Sequence, residues 1–383
     1  MPGIIEIAVP IEEIEARQSR YDKTINFETP DRVPVIPSIG TRYLLPQIGV
    51  KFKDYFSDPE IMLRSQILAQ KWLLENVRTD AHSVTGAWVG GWTDFQNAYE
   101  AGSLGCETQF PDDDIPWIGP PWVKTDEDLR KLEEIDFVHS GLNQRQIDYR
   151  KAMMDVAEKY PVRFQGGEVF YPGENPALTC ATGGPFSLAG DLVGQTDVFL
   201  MVYEKPDFLK EVLRIVTEKI LDWLEFCQEE MQLTERNLAW SDDPAVYLSA
   251  EKFCEFSLPY NQVIRSRFDG YGLLHMCGKA DHLLEIFRDD LKIDILWGFG
   301  FPVDLDRIGD ALGGRVAMVG NVNPMLLHTG TPEQIRQATR YVIEKLAHYR
   351  GFIVQDGNNV PPGTPLENIK AMMEAAELHG RYE

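Results

Sequence analysis

YGLLHMCGKADHLLEIFRDDLKIDILWGFG, residues 271–300, reads as strand, helix, strand. Residues 271–277 and 293–297 are short apolar runs, each followed by Gly. Between them, residues 280–288 place Leu283, Leu284 and Phe287 at helical spacing. A helical crossover between two short strands makes those strands parallel.

The alternation continues on both sides. Upstream, residues 237–240 read as a strand and 250–268 as a helix. Downstream come helix 304–312, strand 315–320, helix 332–349, strand 352–355 and helix 365–379. Towards the N-terminus, a helix over 11–21 precedes a first strand at 33–37. A helix starts at Asp58-Pro59, a second strand spans 81–89, and a helix over 143–160 leads into a strand at 162–167. The helix over 206–231 carries Leu209, Val212, Leu213, Val216, Ile220 and Leu224 on one stripe, which is core. About eight strand–helix units favour a closed α/β barrel, a (β/α)8 TIM-type barrel, over an open doubly wound sheet. No Gly-x-Gly-x-x-Gly follows the first strand to support a dinucleotide fold. The expected organisation is one barrel domain over 1–383. Residues 1–30 form an N-terminal extension, and the Gly-, Pro-, Trp- and Asp-rich residues 90–127 form a long inserted loop or lid over the barrel mouth.

Composition narrows the function. The 383 residues hold 37 Lys+Arg against 60 Asp+Glu, a formal charge of −23, with no basic run, which argues against nucleic acid. No apolar run reaches the roughly 18 residues that cross a bilayer, and the first residues do not resemble a signal peptide. A cytoplasmic location is expected. Five scattered Cys read as buried thiols or metal ligands rather than a disulfide framework.

In a barrel, chemistry sits where the strands end. His275 and Cys277 lie two residues apart at such an end, so both side chains take one face, and imidazole with thiolate suits Zn²⁺. The plain alternative is a hydrogen-bonded core histidine beside a buried thiol. Two ligands do not hold a zinc ion. Asp242, Asp243, Glu168 and Asp356, at other strand ends, are the candidates to complete it. Side-chain alternation lets only one of the tandem Asp242 and Asp243 face the mouth, and an Asp before Pro244 is also an ordinary turn residue. Trp88, Trp92, Phe170, Tyr171, Trp297, Phe299 and Phe301 would rim an apolar pocket, or pack beneath the long loop.

Gly183-Gly-Pro-Phe-Ser-Leu188, Leu274-His-Met-Cys-Gly278, Gly320-Asn-Val-Asn-Pro324, Gly330-Thr-Pro-Glu333 and Val360-Pro-Pro-Gly-Thr-Pro-Leu-Glu-Asn-Ile369 together resemble the uroporphyrinogen decarboxylase superfamily, most strongly from about residue 180 onward. The resemblance implies a barrel and two branches of activity. Decarboxylases of the family carry an arginine-rich segment after the first strand. Here the matching Pro37-Ser-Ile-Gly-Thr-Arg42 has only one Arg. The zinc-dependent methyltransferases, which work with corrinoid proteins or coenzyme M, carry His-x-Cys and a later Cys. His275 and Cys277 match the first part, 100–106 resembles a segment of this branch, and the later Cys falls at Asn358.

The resemblance therefore implies zinc held by His275, Cys277 and Asp242, with Asp243, Glu168 and Asn358 acting at the reacting atoms. Trp88, Trp92, Tyr171, Trp297, Phe299 and Arg42 would bind substrate. With fewer thiolates the metal is more electrophilic, which leans towards activating an ether oxygen. The expected reaction moves a methyl group from a methoxylated, aromatic-type compound to the reduced cobalt of a corrinoid carried by a partner protein. The alternatives are a thiol alkyltransferase of the coenzyme M type, with Arg42 or Lys279 as anion anchor, a decarboxylase, and a non-catalytic corrinoid-docking protein. A homodimer is left open.

Overall fold

The computed structural model describes residues 3–80 and 89–382. Five strands form a parallel sheet in the order Leu238–Ser241, Gly272–His275, Ile295–Trp297, Ala317–Val322, Phe352–Asp356. Ser241 pairs with His275, His275 with Trp297, and Trp297 with Val319, so these residues form one rung near the strand ends.

Short parallel bridges carry the wall round on both sides: Val35 with Val354, Thr182 with Trp240, and Trp92 with Ala177. The Asp80 amide donates to the Val35 carbonyl at 2.9 Å. The stretch around 33–37, Asp80 with the segment that resumes at 89–93, and 177–182 thus stand beside the five strands, completing the wall of a TIM-type barrel. Ile36, Ile295, Ala317, Val319 and Ile353 fill the interior with Leu273 and Trp297 against them. Tyr21 and Ile25, from the helix Ile11–Ile25, close the end where the strands start. The larger apolar cluster surrounds this interior and includes the stripe of the helix Pro206–Glu230.

Local chemistry sets the helix starts. Asp58 caps the helix Pro59–Asn76, its Oδ1 accepting from the Glu60 and Ile61 amides at 2.8 and 3.1 Å. Thr331 and Gln334 form a capping box on the helix Pro332–Leu346.

The structure refines the expectations for several elements. A strand does form at Val162–Gln165, but it pairs with Ile5–Pro10 and Val169–Phe170 in a separate three-stranded sheet. The barrel stave is 177–182 instead, whose Ala-Leu-Thr-Cys-Ala-Thr has too few branched or aromatic residues to read as a strand. The extension over 1–30 carries that outlying strand, Ile5–Pro10, ahead of its helix. The expected helix 280–288 starts late, as a turn over 281–283, is helical from 284 and runs on as a π-helix over Ile286–Asp290, and helix 250–268 breaks at Ser257 ahead of Pro259. Residues 90–127 are mostly irregular, as a long loop would be, but they are packed. They hold the helix Ala98–Ser103 and a ribbon of Thr108–Gln109 with Trp117–Ile118, and Phe95, Tyr99, Leu104 and Val123 are buried. Most of the strand expected at 81–89 lies outside the described residues.

Candidate metal and active site

The strand Leu238–Ser241 ends in two aspartates that diverge. Asp242 turns into the protein, where it is buried. Its Oδ1 accepts from the Ser187 amide and hydroxyl at 2.9 and 3.0 Å. Its Oδ2 accepts from Ser257 Oγ at 2.7 Å and Asn261 Nδ2 at 2.9 Å. Four donors leave this carboxylate little capacity for a metal. Burial raises its pKa, against the pull of those donors.

Asp243 turns the other way, to the mouth. Its Oδ1 accepts the Cys277 amide at 2.8 Å, and its Oδ2 lies 3.6 Å from His275 Nε2. Ligand atoms of Asp243, His275 and Cys277 all lie within 4.8 Å of one another. Among the described residues they form the one such group of three. Burial, and then the adjacent Asp243 carboxylate, push the Cys277 thiol up to about 12. Oxygen, nitrogen and sulfur donors converging from two adjacent strand ends fit a zinc ion with a position left for substrate. Of the two aspartates, Asp243 faces the candidate metal position, whereas both oxygens of Asp242 are taken up by Ser187, Ser257 and Asn261.

Glycine lets the imidazole sit where it does. A Cβ at Gly298, whose φ is +63°, would stand 2.7 Å from His275 Cε1 and Nδ1. Gln355 lies near the same point, 3.5 Å from it by Oε1, and shares a strand face with the interior Ile353. Gln355 is fully buried, and neither end of its carboxamide has a hydrogen-bond partner among the described residues. Sequence reading passed over it because Phe352-Ile-Val-Gln355 reads simply as a strand.

The remaining expected residues are spread out. Trp297 is half-buried and paired with His275 in register. Phe299 is fully buried, its ring 2.6 Å from where a Cβ at Gly320 would stand, so it is packing rather than pocket wall. Trp92 is half-buried, its backbone bracketed by Gln66 at 2.9 and 2.7 Å. Glu168 is exposed on the outlying sheet with Tyr171 just beyond it, and Phe170 there stacks on Phe164. Arg42 is half-exposed and already forks onto Asp114 at 2.7 and 3.1 Å. Asn358 is exposed and accepts from Asn359 Nδ2 at 3.0 Å. Asp356 is buried, accepts from the Ser38 amide at 2.8 Å, and is raised to about 7 by burial. Trp88 lies outside the described residues.

A further acid supports the mouth. Glu100 is buried, with Oε1 accepting from Thr182 Oγ1 at 2.5 Å and Oε2 from the Gly183 amide at 2.7 Å. Burial raises it to about 7. Beside it Gly184 has φ +81°, and a Cβ there would meet the Ser241 carbonyl at 2.1 Å. The signal for this support was the Gly183-Gly184 pair.

The family described as uroporphyrinogen decarboxylase (URO-D) matches residues 16–379. A uroporphyrinogen decarboxylase of Prochlorococcus marinus (strain NATL1A) is 28% identical over 218 residues, 54% of this chain and 59% of that protein. The methylcobamide:CoM methyltransferase MtaA of Methanosarcina barkeri is 27% identical over 204 residues, 51% of this chain and 56% of its own length. A methylated-thiol–coenzyme M methyltransferase of Methanosarcina mazei is 24% identical over 291 residues, covering 74% and 71%. The chain thus spans about six tenths of the length of the first of these curated relatives. A solved methyltransferase from Methanosarcina mazei superposes with a TM-score of 0.69 at 21% identity, over 94% of this chain and 98% of the other, which bears out the barrel fold.

Proposed function

The chain belongs to the uroporphyrinogen decarboxylase family, and within it we propose that it is a metal-assisted methyltransferase. The donor is a methoxylated, aromatic-type small molecule, and the acceptor is the reduced cobalt of a corrinoid on a partner protein. One observation carries the reading: Asp243, His275 and Cys277 converge at the barrel mouth. Two methyltransferases among the relatives support that branch.

His275 through Nε2, Cys277 through Sγ and Asp243 through Oδ2 would hold zinc. The ion would supply Lewis acidity towards the ether oxygen as the methyl–oxygen bond breaks and its electron pair stays on oxygen. The chain's own contribution is orientation. Asp243 fixes the Cys277 backbone, Gly298 lets the imidazole seat, and Trp297 offers a half-buried aromatic face in the same rung as His275. Glu168 and Tyr171 have no place in this arrangement, and neither does Asp242 as ligand. Asn358 follows the strand Phe352–Asp356 and stays a candidate for contact with the leaving group.

A second reading, methyl transfer to or from a thiol, is favoured by the names of the same two relatives. Its anion anchor would be the exposed Lys279 rather than Arg42, which is paired with Asp114. For a decarboxylase, the same pairing leaves the 37–42 segment without an unpaired arginine.

The test is zinc content of the wild-type chain beside His275→Ala and Cys277→Ala. Cob(I)alamin is then methylated from methoxybenzoates or from methylated thiols. About one zinc per chain, lost in both variants, with methoxy-dependent methylation, is the expected result. Full activity in either variant would sink the metal mechanism. Methylation from thiols alone would install the second reading.

A further inference from the structure

At the end of the barrel opposite His275, a cavity of about 410 Å³ opens beside the helix Ile11–Ile25. Five arginines line it: Arg17, Arg20, Arg32, Arg78 and Arg381. In a chain of net charge −23 this concentration is out of proportion. The carboxylates among them are Glu13, Asp31 and Glu377 on the wall and Asp80 behind it, so five positive charges meet four negative ones.

Three of the guanidinium groups are built into the protein. The side chains of Arg17, Arg20 and Arg32 are only 4%, 10% and 12% exposed. Asp80 holds Arg20 at 2.5 Å and Arg32 at 2.7 Å, and Asp31 takes Arg20 at 2.7 and 2.8 Å. These contacts do not use every donor, because each guanidinium carries five N–H groups. Among the described residues Arg17 directs hydrogen bonds to the Thr79 carbonyl at 3.2 Å and to Glu13 at 2.5 Å. Arg78, 63% exposed, reaches Glu13 and Glu377 only at 3.9 and 3.8 Å, and Arg381 donates once, at 3.4 Å, to the Glu377 carbonyl. The cavity is therefore walled by permanently charged, forked donors with spare capacity, and Ala16 is its one apolar lining residue.

We propose that this cavity binds a small phosphorylated compound. Planar guanidinium forks match phosphoryl oxygens two at a time, and several forks from different directions suit a tetrahedral multivalent anion better than a single carboxylate. The volume falls within the roughly 300–1,000 Å³ of small-molecule sites. The site is separate from the strand-end group of Asp243, His275 and Cys277. It adjoins the helix whose Tyr21 and Ile25 plug the barrel interior.

Isothermal titration of the full chain with pyrophosphate, at constant ionic strength, tests it, with citrate as a carboxylate of comparable charge. The probe variant is Arg78→Gly with Arg381→Ala. Gly suits position 78, whose φ is +58°, so the fold should hold. Arg214→Ala, on the helix Pro206–Glu230 where it pairs with Glu133, Glu211 and Glu218 and none of the cavity residues, is the control. The expected result is saturable binding of pyrophosphate, at least tenfold weaker in the double variant and unchanged in the control, with citrate much weaker. Zinc content should be the same in all three proteins. Absence of saturable binding, equal affinity in the double variant, equal loss in the control, or citrate binding as tightly as pyrophosphate would each overturn the proposal.

Discussion

Asp243 reaches from the end of one strand to the next and accepts the Cys277 amide at 2.8 Å. The same carboxylate turns its other oxygen to within 3.6 Å of His275 Nε2. One side chain therefore joins the two staves that present the candidate metal ligands. Asp243→Asn keeps an acceptor for the amide but loses the charge. Zinc affinity, read by competition with a chromophoric chelator, should fall about 10–100-fold, the range typical of lost supporting interactions at metal sites. Asp243→Ala should lose more. Asp242→Asn should leave zinc stoichiometry unchanged, because Asp242 is committed to Ser187, Ser257 and Asn261. Loss of zinc in Asp242→Asn, with the fold intact by circular dichroism, would return the ligand role to Asp242.

The neighbourhood of Cys277 fixes the sign of a pH effect. Burial and Asp243 hold the thiol protonated, pushed up to about 12. A zinc ion needs the thiolate, so binding at neutral pH must expel that proton. Affinity should rise about tenfold per pH unit between roughly pH 7 and 9, with about one proton released per zinc. In Cys277→Ser that slope should vanish along with most of the affinity. A pH-stat titration that finds no proton released would mean the thiol is not a ligand.

Glu100 makes the opposite kind of statement, about stability. Its carboxyl is raised from 4.5 to about 7 by burial, so the folded chain holds a proton that the unfolded chain has already lost. The stabilising contribution is complete below about pH 4.5 and disappears as pH rises through 7. At about 1.4 kcal/mol per pH unit it amounts to no more than about 3.5 kcal/mol. Asp191, raised to about 6, and Asp356, raised to about 7, act with the same sign. Urea unfolding of wild type and Glu100→Gln at pH 5 and 7.5 should show a smaller loss of stability with pH in the variant. Identical losses would mean that Glu100 ionises freely.

Much of this was legible in the chain. From 237 onward each stave announced itself, because Leu, Ile, Val and Phe cluster between Gly and Asp punctuation. Stave 177–182 did not, being built of small and hydroxylated residues whose strand character comes from neighbours. His275 and Cys277 were legible as a pair. The choice between Asp242 and Asp243 was not. Alternation allows one of two adjacent residues to face the mouth but does not say which, and the donors that claim Asp242 come from residues 187, 257 and 261. Glu168 was misplaced with its strand. Glu100 and Gln355 were missed because only tertiary packing removes water from them.

Gln355 has a measurable consequence of its own. Its buried carboxamide has no partner at either end among the described residues, and an unsatisfied buried polar group costs about 1–3 kcal/mol. Met has a similar length and no such need. Gln355→Met should leave the metal-free protein as stable as wild type or raise its stability by about 1–2 kcal/mol in urea unfolding. A loss above about 2 kcal/mol would show that the carboxamide is satisfied in solution, for instance by a trapped water.

Position 358 separates the two readings of the reaction. Asn358 is an exposed residue just past the strand Phe352–Asp356, where the family resemblance places a cysteine. If the chain works through Lewis acidity on an ether oxygen, added thiolate charge should bind zinc more tightly and blunt its electrophilicity. Asn358→Cys should then hold zinc more strongly against a chelator while methoxy-dependent methylation of cob(I)alamin slows, by at least several-fold. If the chain instead serves a thiol substrate, more thiolate charge raises the nucleophilicity of a bound thiolate, and transfer involving a methylated thiol should hold or improve. Tighter zinc with an unchanged or faster methoxy reaction would count against the Lewis-acid account while leaving the metal site standing.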